Sequence, residues 1–267
     1  LSGLVGSEMC IRDSLVEVVT DEGITGWGEC FGPGNVAIAN KVIVERVIQP
    51  MILGENPLNR DVLWHKVYNL LRDHGQKGMP IQALSGVDIA LWDILGKVTG
   101  LSISRLIGGR FREQVPVYGY GMMLRREKLP ALMDRFEDEA AAIKSSGFVA
   151  TKMKVGLGPK QDVQLAESVR RGVGGDFPFM VDANHCYTVD QALYVGRALE
   201  ELDAYWFEEP VAPEDLDGYQ ELRSQLTINI AGGEAEFTRW GWRNLLEKHC
   251  LDTVSYTHLT LPTNREV

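Results

Sequence analysis

Residues 177–184 read FPFMVDAN, an apolar run that ends in an acidic and an amide side chain. Two later apolar runs also lead into acidic side chains. These are AYWFEEP at residues 204–210 and INIAGGE at residues 228–234. Each run has the length of a buried strand, and each is followed by a longer amphipathic stretch with helical spacing. Strands that alternate with helices in this way predict a parallel β-sheet.

The alternation extends on both sides of these segments. Strand VPVYGYG at residues 115–121 and strand FVATKMKV at residues 148–155 precede helices expected at about 128–146 and 160–171. Further helices are expected at about 189–202, 214–225 and 238–248, and a sixth strand begins at Leu251. Five βα units in series fit either a doubly wound sheet or a barrel. No G-x-G-x-x-G motif follows a strand, which disfavours a dinucleotide-binding fold.

The first part of the chain is organised differently. Residues 15–30, LVEVVTDEGITGWGEC, alternate apolar and polar side chains on either side of a D-E-G turn, which predicts a hairpin. Three helices should follow. The first runs from about residue 36 to 48 and stops near Pro50, and the other two carry the apolar faces Leu63, Val67, Leu70, Leu71 and Leu84, Val87, Leu91, Ile94, Val98. A hairpin followed by helices is an α+β unit.

The two ends of the chain match neither pattern. Residues 9–13, MCIRD, can be encoded by codons whose reverse complement encodes residues 254–258, VSYTH. This relation resembles translated sequencing adapters. We therefore interpret residues 1–14 and 254–267 as adapter-like, and assign residues 15–112 to the α+β domain and 113–253 to the α/β domain.

Composition limits the classes of partner. The 267 residues carry 37 acidic and 27 basic side chains, and this net charge of -10 disfavours nucleic acid or an anionic membrane surface as a partner. No apolar run approaches the roughly 18 residues of a membrane span. The four cysteines form neither a disulfide framework nor a zinc-binding pattern. An excess of acidic over basic side chains is typical of cytosolic enzymes, so we expect a cytoplasmic protein.

Acidic side chains end three consecutive strands. Asp182 and Glu208 are 26 residues apart, and Glu208 and Glu234 are again 26 residues apart, which is one βα unit each time. In a (β/α)₈ barrel the carboxyl ends of the strands surround one mouth, so these carboxylates should converge there. They would repel one another unless a cation neutralised them. An all-oxygen ligand set suits Mg²⁺ better than Zn²⁺.

Lys152 and Lys154 lie two residues apart on a strand, so their side chains share a face, while Met153 and Val155 face the other way. Two lysines inside a barrel need anionic partners, and the carboxylates supply them. Each positive charge should make the other lysine easier to deprotonate, as a lysine base requires. A single K-x-K is usually a solvated strand face, and a single E-E-P usually precedes a turn. The ordered set at one-unit spacing is what indicates a functional site.

The motifs KMK at 152–154, VDAN at 181–184, FEEP at 207–210 and GGE at 232–234 together resemble the enolase superfamily, specifically its mandelate racemase-like branch. Residues 84–93, LSGVDIALWD, similarly resemble the last helix of that family's capping domain. The likeness covers nearly all of residues 15–253. It implies a (β/α)-barrel of TIM type, here truncated after about five and a half units, with an incomplete N-terminal α+β capping domain.

The resemblance also implies a division of roles. Asp182, Glu208 and Glu234 would bind Mg²⁺, which holds the substrate carboxylate and stabilises the enediolate. Lys154 would remove the proton α to the carboxylate. Lys152 would make Lys154 easier to deprotonate and would neutralise developing charge.

Three further polar residues follow the same strand ends. Asn184 and Glu209 would orient the metal ligands, although either could simply cap a loop. His185 could contact substrate or could form only local hydrogen bonds. The remaining histidines, His65, His74 and His249, receive no chemical role.

The overall reaction depends on groups opposite Lys154. In this branch an Asp and a His from strands six and seven form the second acid/base, and neither strand is in the sequence. Glu234 in place of Asp resembles the racemase and acid-sugar dehydratase branch, so we expect removal of water from an aldonic or aldaric acid. The alternatives are a racemase, epimerase or cycloisomerase of the same superfamily, or a non-catalytic metal-binding scaffold, against which the lysine pair argues.

The expected partner is a small-molecule carboxylate, and the parent protein is expected to be a homo-oligomer. A partial barrel leaves two open sheet edges and an uncovered apolar interior. We therefore expect the 267-residue chain by itself to be insoluble or inactive.

Overall fold

The computed structural model describes residues 3–9, 14–32 and 35–254. Within them the chain forms two compact units. The first comprises the chain up to Glu113 together with Glu236–Gly241, and the second comprises Gln114–Ala235 and the chain from Trp242 onward. The structure describes residues 3–9 and 14 of the first segment predicted to be adapter-like and only residue 254 of the second, and the adapter interpretation of both stays a prediction.

The first unit contains a three-stranded antiparallel sheet in the order β1-β2-β3, formed by Gly3–Met9, Ser14–Val19 and Thr25–Cys30. The predicted hairpin is β2 and β3 and is confirmed. The sequence analysis did not predict β1. Its residues, GLVGSEM, lack strict alternation of apolar and polar side chains, so only its pairing with β2 identifies it as a strand.

The helices of the first unit are α1 (Asn35–Ile43), α2 (Gln49–Ile52), α3 (Arg60–Leu71), α4 (Met79–Thr99) and α5 (Ile103–Leu106), with a π-helical turn at Val44–Ile48 joining α1 to α2. The predicted stop near Pro50 was wrong. Pro50 lies in the first turn of α2, where its missing N–H costs little.

Two residues assigned to apolar helix faces are also exposed. Leu70 and Val98 are each 46% accessible, whereas Leu63, Val67 and Leu71 are buried. Neighbouring residues on a helix point about 100° apart, so Leu70 cannot share the centre of the face with Leu71. Val98 lies in the last turn of α4.

Glycines allow α4 to pack closely on the sheet. A Cβ atom added to Gly28 would lie 1.9 Å from the carbonyl oxygen of Gly86, and one added to Gly86 would lie 2.3 Å from the sulfur of Cys30. Only glycine permits this backbone approach. The glycine in the LSGVDIALWD motif is therefore explained by its contact with the sheet.

The second unit contains a six-stranded parallel sheet in sequential order, β4 to β9. Its elements are β4 (Gly119–Tyr120), α6 (Leu129–Ser145), β5 (Thr151–Lys154), α7 (Pro159–Val173), β6 (Phe179–Asp182), α8 (Val189–Glu201), β7 (Trp206–Glu208), α9 (Leu216–Gln225), β8 (Asn229–Gly232), α10 (Thr238–Glu247) and β9 (Thr253–Val254). A doubly wound sheet would reverse its strand order, so the sequential order identifies the fold as the TIM-barrel type.

The predicted alternation along β5 is confirmed, since Met153 and Val155 are buried in the core of the second unit. Strand β4 is shorter than the predicted VPVYGYG, because only Gly119–Tyr120 are extended and paired, and Val115 and Val117 are exposed. In the described residues β4 pairs with β5 alone. An edge strand with one neighbour gains fewer hydrogen bonds, which accounts for its short length.

Arg170 in α7 ties together the amino-terminal side of the barrel. Its guanidinium donates hydrogen bonds to five backbone carbonyl oxygens, those of Gly174, Gly175, Phe177, Leu202 and Asp203, at 2.7–3.1 Å. These carbonyls belong to the chain after α7, the chain after α8 and the approach to β6. One side chain thus fixes both the α7–β6 and the α8–β7 connection.

Replacing Arg170 with Met is expected to lower the free energy of unfolding by about 2–4 kcal/mol, because several carbonyls lose a charged donor at once. Urea unfolding monitored by circular dichroism measures the change. The matched control is Arg171→Met, since Arg171 is exposed and contacts Glu137 at 2.9 Å. Equal effects of the two substitutions would contradict the structural role of Arg170.

Candidate active site

The carboxyl ends of β5, β6 and β7 bring the predicted residues into one row. Lys154 pairs in register with Asp182, and Asp182 with Glu208. Because alternate residues of a strand share a face, Lys152, Lys154, Asp182 and Glu208 all lie on the side opposite Met153. Asp182 and Glu208 are fully buried.

The two lysines contact the carboxylates directly. The ammonium nitrogen Nζ of Lys152 lies 2.9 Å from Oε2 of Glu208 and 3.3 Å from Oδ2 of Asp182. Nζ of Lys154 lies 2.5 Å from the same Asp182 oxygen and 2.6 Å from Oδ1 of Asn184. The anionic partners expected for the buried lysines are therefore present.

The charge balance at Lys152 differs from the sequence-based expectation. Burial acts to lower the pKa of Lys152, but the carboxylates of Glu208 and Asp182 act more strongly in the other direction, so this pKa lies above its ordinary value. Repulsion between the two lysines does not govern Lys152. With both carboxylates within about 3 Å, attraction outweighs it.

Glu234 reaches the row through a turn that requires glycine. Gly233, which follows β8, has φ +109°, and a Cβ atom there would lie 2.2 Å from the ring of Trp242. Glu234 is exposed to solvent, yet partial loss of hydration raises the pKa of its carboxyl, and the negative charge of Asp182 raises it further. The carboxyl of Glu234 is thus close enough to the buried row for the charge of Asp182 to affect its pKa.

A second group of polar residues follows β6 and β7 with unusual backbone geometry. Asn184, His185 and Glu209 have φ values of 40°, 65° and 45°. The side-chain amide of Asn184 donates to Oε2 of Glu209 at 3.4 Å, and Nε2 of His185 lies 3.3 Å from the same oxygen. Backbone strain of this kind is often found at functional sites.

The residues described above all lie at one end of the sheet. They include all eight residues that were singled out from the sequence.

The carboxylates at these strand ends are oxygen donors of the kind that a divalent cation prefers. Burial, with the negative charges of Glu234, Asp182 and Glu208, raises the pKa of Glu209 to about 8. The raised pKa shows that the negative charges in this cluster repel one another. Among the described residues, no group of three or more His, Cys, Asp and Glu side chains is arranged to hold a metal ion. Asp182 and Glu208 instead contact the lysines.

The sequence analysis missed the aromatic residues around the lysines. The ring centroid of Tyr120 lies 5.7 Å from Nζ of Lys152 and 5.9 Å from Nζ of Lys154, and Tyr118 lies 5.8 Å from Nζ of Lys152. Nε1 of Trp206 donates to Glu208 at 3.1 Å. The signal was available, because Trp206 lies two residues before Glu208 and must share its face.

It also missed Asp162, which is buried in α7. Its carboxylate accepts hydrogen bonds from the backbone N–H groups of Gly156, Leu157 and Gly158 at 2.9–3.0 Å and from the hydroxyl of Tyr187 at 2.6 Å. Asp162 thus fixes the loop that follows Lys154. An acidic residue in the first turn of a helix is a recognisable sequence signal for this role.

Across the part of the chain that the structure describes, every helix is too short or too polar to cross a membrane.

Comparison with known proteins places both units. The sequence matches the family model of the mandelate racemase / muconate lactonizing enzyme N-terminal domain over residues 8–108. It matches the family model of enolase C-terminal domain-like proteins over residues 135–259.

Two curated relatives act on sugar-derived acids or lactones by name. D-galactarolactone cycloisomerase of Agrobacterium fabrum is 42% identical over 241 residues, which are 89% of this chain and 61% of the relative. Arabinonate dehydratase of Saccharolobus solfataricus is 35% identical over 239 residues, 89% of this chain and 63% of the relative. The chain therefore spans less than two thirds of the length of these relatives.

A solved structure supports the fold and carries a metal. A racemase from Streptomyces coelicolor A3(2) with bound magnesium superposes with a TM-score of 0.86 at 30% identity, over 95% of this chain and 75% of the racemase chain.

Proposed function

Because the chain belongs to the mandelate racemase / muconate lactonizing enzyme family of the enolase superfamily, we propose that its strand ends form the Mg²⁺-dependent site of an acid-sugar dehydratase. The observation that carries this proposal is the row Lys154, Asp182 and Glu208, held in register at the carboxyl ends of β5, β6 and β7. The proposed reaction removes the proton α to a carboxylate and then eliminates water, giving a 2-keto-3-deoxy acid.

Three side chains are proposed as the metal ligands. Asp182 and Glu208 would bind from the buried floor, and Glu234 from the solvent-exposed side, where an ion can enter. When bound, Mg²⁺ would hold the substrate carboxylate and stabilise the negative charge that develops on it. Hard carboxylate oxygens are its preferred protein ligands.

Lys154 is proposed as the base that takes the α proton at Nζ. Its contacts with Asp182 and Asn184 fix the position of Nζ at the edge of the cluster. Lys152, deeper in the barrel, contacts Asp182 and Glu208 and would offset negative charge on the substrate. Asn184, Glu209 and His185 would hold these groups in place through their mutual hydrogen bonds.

A second candidate function is cycloisomerisation of a sugar-derived acid or lactone. The 42% identity with D-galactarolactone cycloisomerase favours it. Both reactions begin with removal of an α proton, so the same Lys154 and metal ligands would serve them. The outcome depends on which groups face the other side of the substrate.

A substrate panel separates these proposals. Since the chain spans only part of the length of its relatives, the assay uses a protein extended to their length, with Mg²⁺ and a panel of aldonic acids, aldaric acids and their lactones. Formation of 2-keto acids from the open-chain acids, with loss of water, is expected. Products of ring opening without loss of water would favour the cycloisomerase, and metal binding without turnover of any compound would favour a non-catalytic scaffold.

A further inference from the structure

Trp206 lies one layer below the proposed metal ligands, on the inner face of the sheet. Neighbouring strands align Lys152 with Met180, Met180 with Trp206, and Trp206 with Asn229. The next layer along the strands contains Lys154, Asp182 and Glu208. Alternate residues of a strand share a face, so Trp206 lies beside Glu208 on the face that carries the carboxylates.

The indole of Trp206 also donates a hydrogen bond to Glu208. Its Nε1–H donates to Oε2 of Glu208 at 3.1 Å, and Nζ of Lys152 donates to the same oxygen at 2.9 Å. Glu208 is fully buried, so the direction of its carboxylate depends on these protein donors. A phenylalanine or leucine would fill the same layer without offering a donor.

A divalent cation bound to Glu208 would affect its two donors, Trp206 and Lys152, differently. A divalent ion at Glu208 repels the ammonium of Lys152, whereas the neutral indole N–H carries no net charge. The indole N–H can only donate a hydrogen bond, and it neither ionises nor changes into an acceptor. The charge of a metal bound to Glu208 would therefore not oppose the hydrogen bond from Trp206.

A neighbouring ring holds the indole in this orientation. Tyr118 meets Trp206 edge-on, with ring centroids 5.8 Å apart and planes at 86°. The same tyrosine ring lies 5.8 Å from Nζ of Lys152. Edge-to-face contacts of this kind stabilise one ring orientation, and in this orientation the indole N–H points at Glu208.

We infer that Trp206 is a positioning residue that sets the rotamer of Glu208 for Mg²⁺ binding, supported by Tyr118. This inference rests on the proposed metal site. Groups that hydrogen-bond to metal ligands typically change metal affinity by about 10- to 100-fold when they are removed. Loss of the indole N–H is therefore expected to weaken Mg²⁺ binding by about tenfold.

Two variants remove the donor and keep a ring. The first is Trp206→Phe. The second carries β-(3-benzothienyl)alanine at position 206, introduced by stop-codon suppression, which has the shape of tryptophan but sulfur in place of the N–H and so preserves folding. Trp27→Phe is the matched control, because Trp27 is a half-exposed residue of the other unit. Calorimetric Mg²⁺ titration and metal-free thermal unfolding are measured for each protein at the length of the relatives.

The expected result is a roughly tenfold weaker Mg²⁺ affinity for both position-206 variants, with no change for Trp27→Phe and an unchanged metal-free melting temperature for the benzothienyl variant. Glu234→Gln is titrated in parallel. One outcome would refute the role of Trp206 but leave the metal site standing. In that outcome the unmodified protein binds Mg²⁺, Glu234→Gln abolishes binding, and the benzothienyl variant binds normally. If the unmodified protein binds no Mg²⁺, or Glu234→Gln binds it equally well, the proposed site is refuted and the role of Trp206 with it.

Discussion

Replacing Lys154 with Ala is expected to reduce turnover of the sugar acid by about 10³-fold without weakening Mg²⁺ binding, because the substitution removes a positive charge beside Asp182. A positioned general base contributes roughly 10²- to 10⁴-fold to the rate, and the methyl group of alanine cannot take a proton. The carboxylates that are proposed to bind the metal remain in place. The measurement is the rate of 2-keto acid formation, together with calorimetric Mg²⁺ titration of the same protein.

The control for this substitution is Lys160→Ala, which removes an exposed lysine at the start of α7. It is expected to leave both turnover and Mg²⁺ affinity unchanged. Undiminished turnover by Lys154→Ala would refute its role as the base. A parallel loss of Mg²⁺ affinity would instead show that Lys154 acts by organising Asp182, which it contacts at 2.5 Å.

The second large effect is expected at Glu234. Changing Glu234 to Gln keeps the size of the side chain but removes a negative charge, and at an effective dielectric constant near 20 one charge at about 4 Å is worth roughly 4 kcal/mol per unit charge of the ion. We therefore expect Mg²⁺ affinity to fall by at least about 100-fold. Calorimetric titration measures this loss.

An exposed glutamate provides the comparison for Glu234→Gln. Glu221→Gln makes the same chemical change on the solvent side of α9 and is expected to bind Mg²⁺ normally. If Glu234→Gln also bound Mg²⁺ with full affinity, Glu234 would not be a ligand. The metal site would then have to be reassigned to the remaining carboxylates.

Much of this arrangement could be predicted from the sequence because strand periodicity and unit length fix which residues meet. The spacing of Asp182, Glu208 and Glu234 predicted one carboxylate per strand end, and in the structure the charges of Asp182 and Glu208 act to raise the pKa of Glu234. The two-residue spacing of Lys152 and Lys154 gave their common face. These relations depend on backbone geometry alone, which local sequence patterns describe well.

Other features depend on contacts between distant residues and could not be predicted in this way. Pairing of Gly3–Met9 with β2 is a tertiary contact without a periodic signal. The raised pKa of Lys152 depends on how closely two side chains from other strands approach it. The hydrogen bond from Trp206 to Glu208 needs both the shared face and one indole orientation, and the latter depends on Tyr118, which lies just before β4.

The central claim is that this constellation removes a proton α to a carboxylate with the help of Mg²⁺. Its most direct test follows the α-proton signal of sugar acids by NMR in D₂O, in the presence of the protein extended to the length of its relatives. The account predicts that the signal of at least one acid disappears with Mg²⁺ and persists when EDTA is added. Persistence of the α-proton signal for every acid with Mg²⁺ present, or its equal loss in EDTA, would contradict the account.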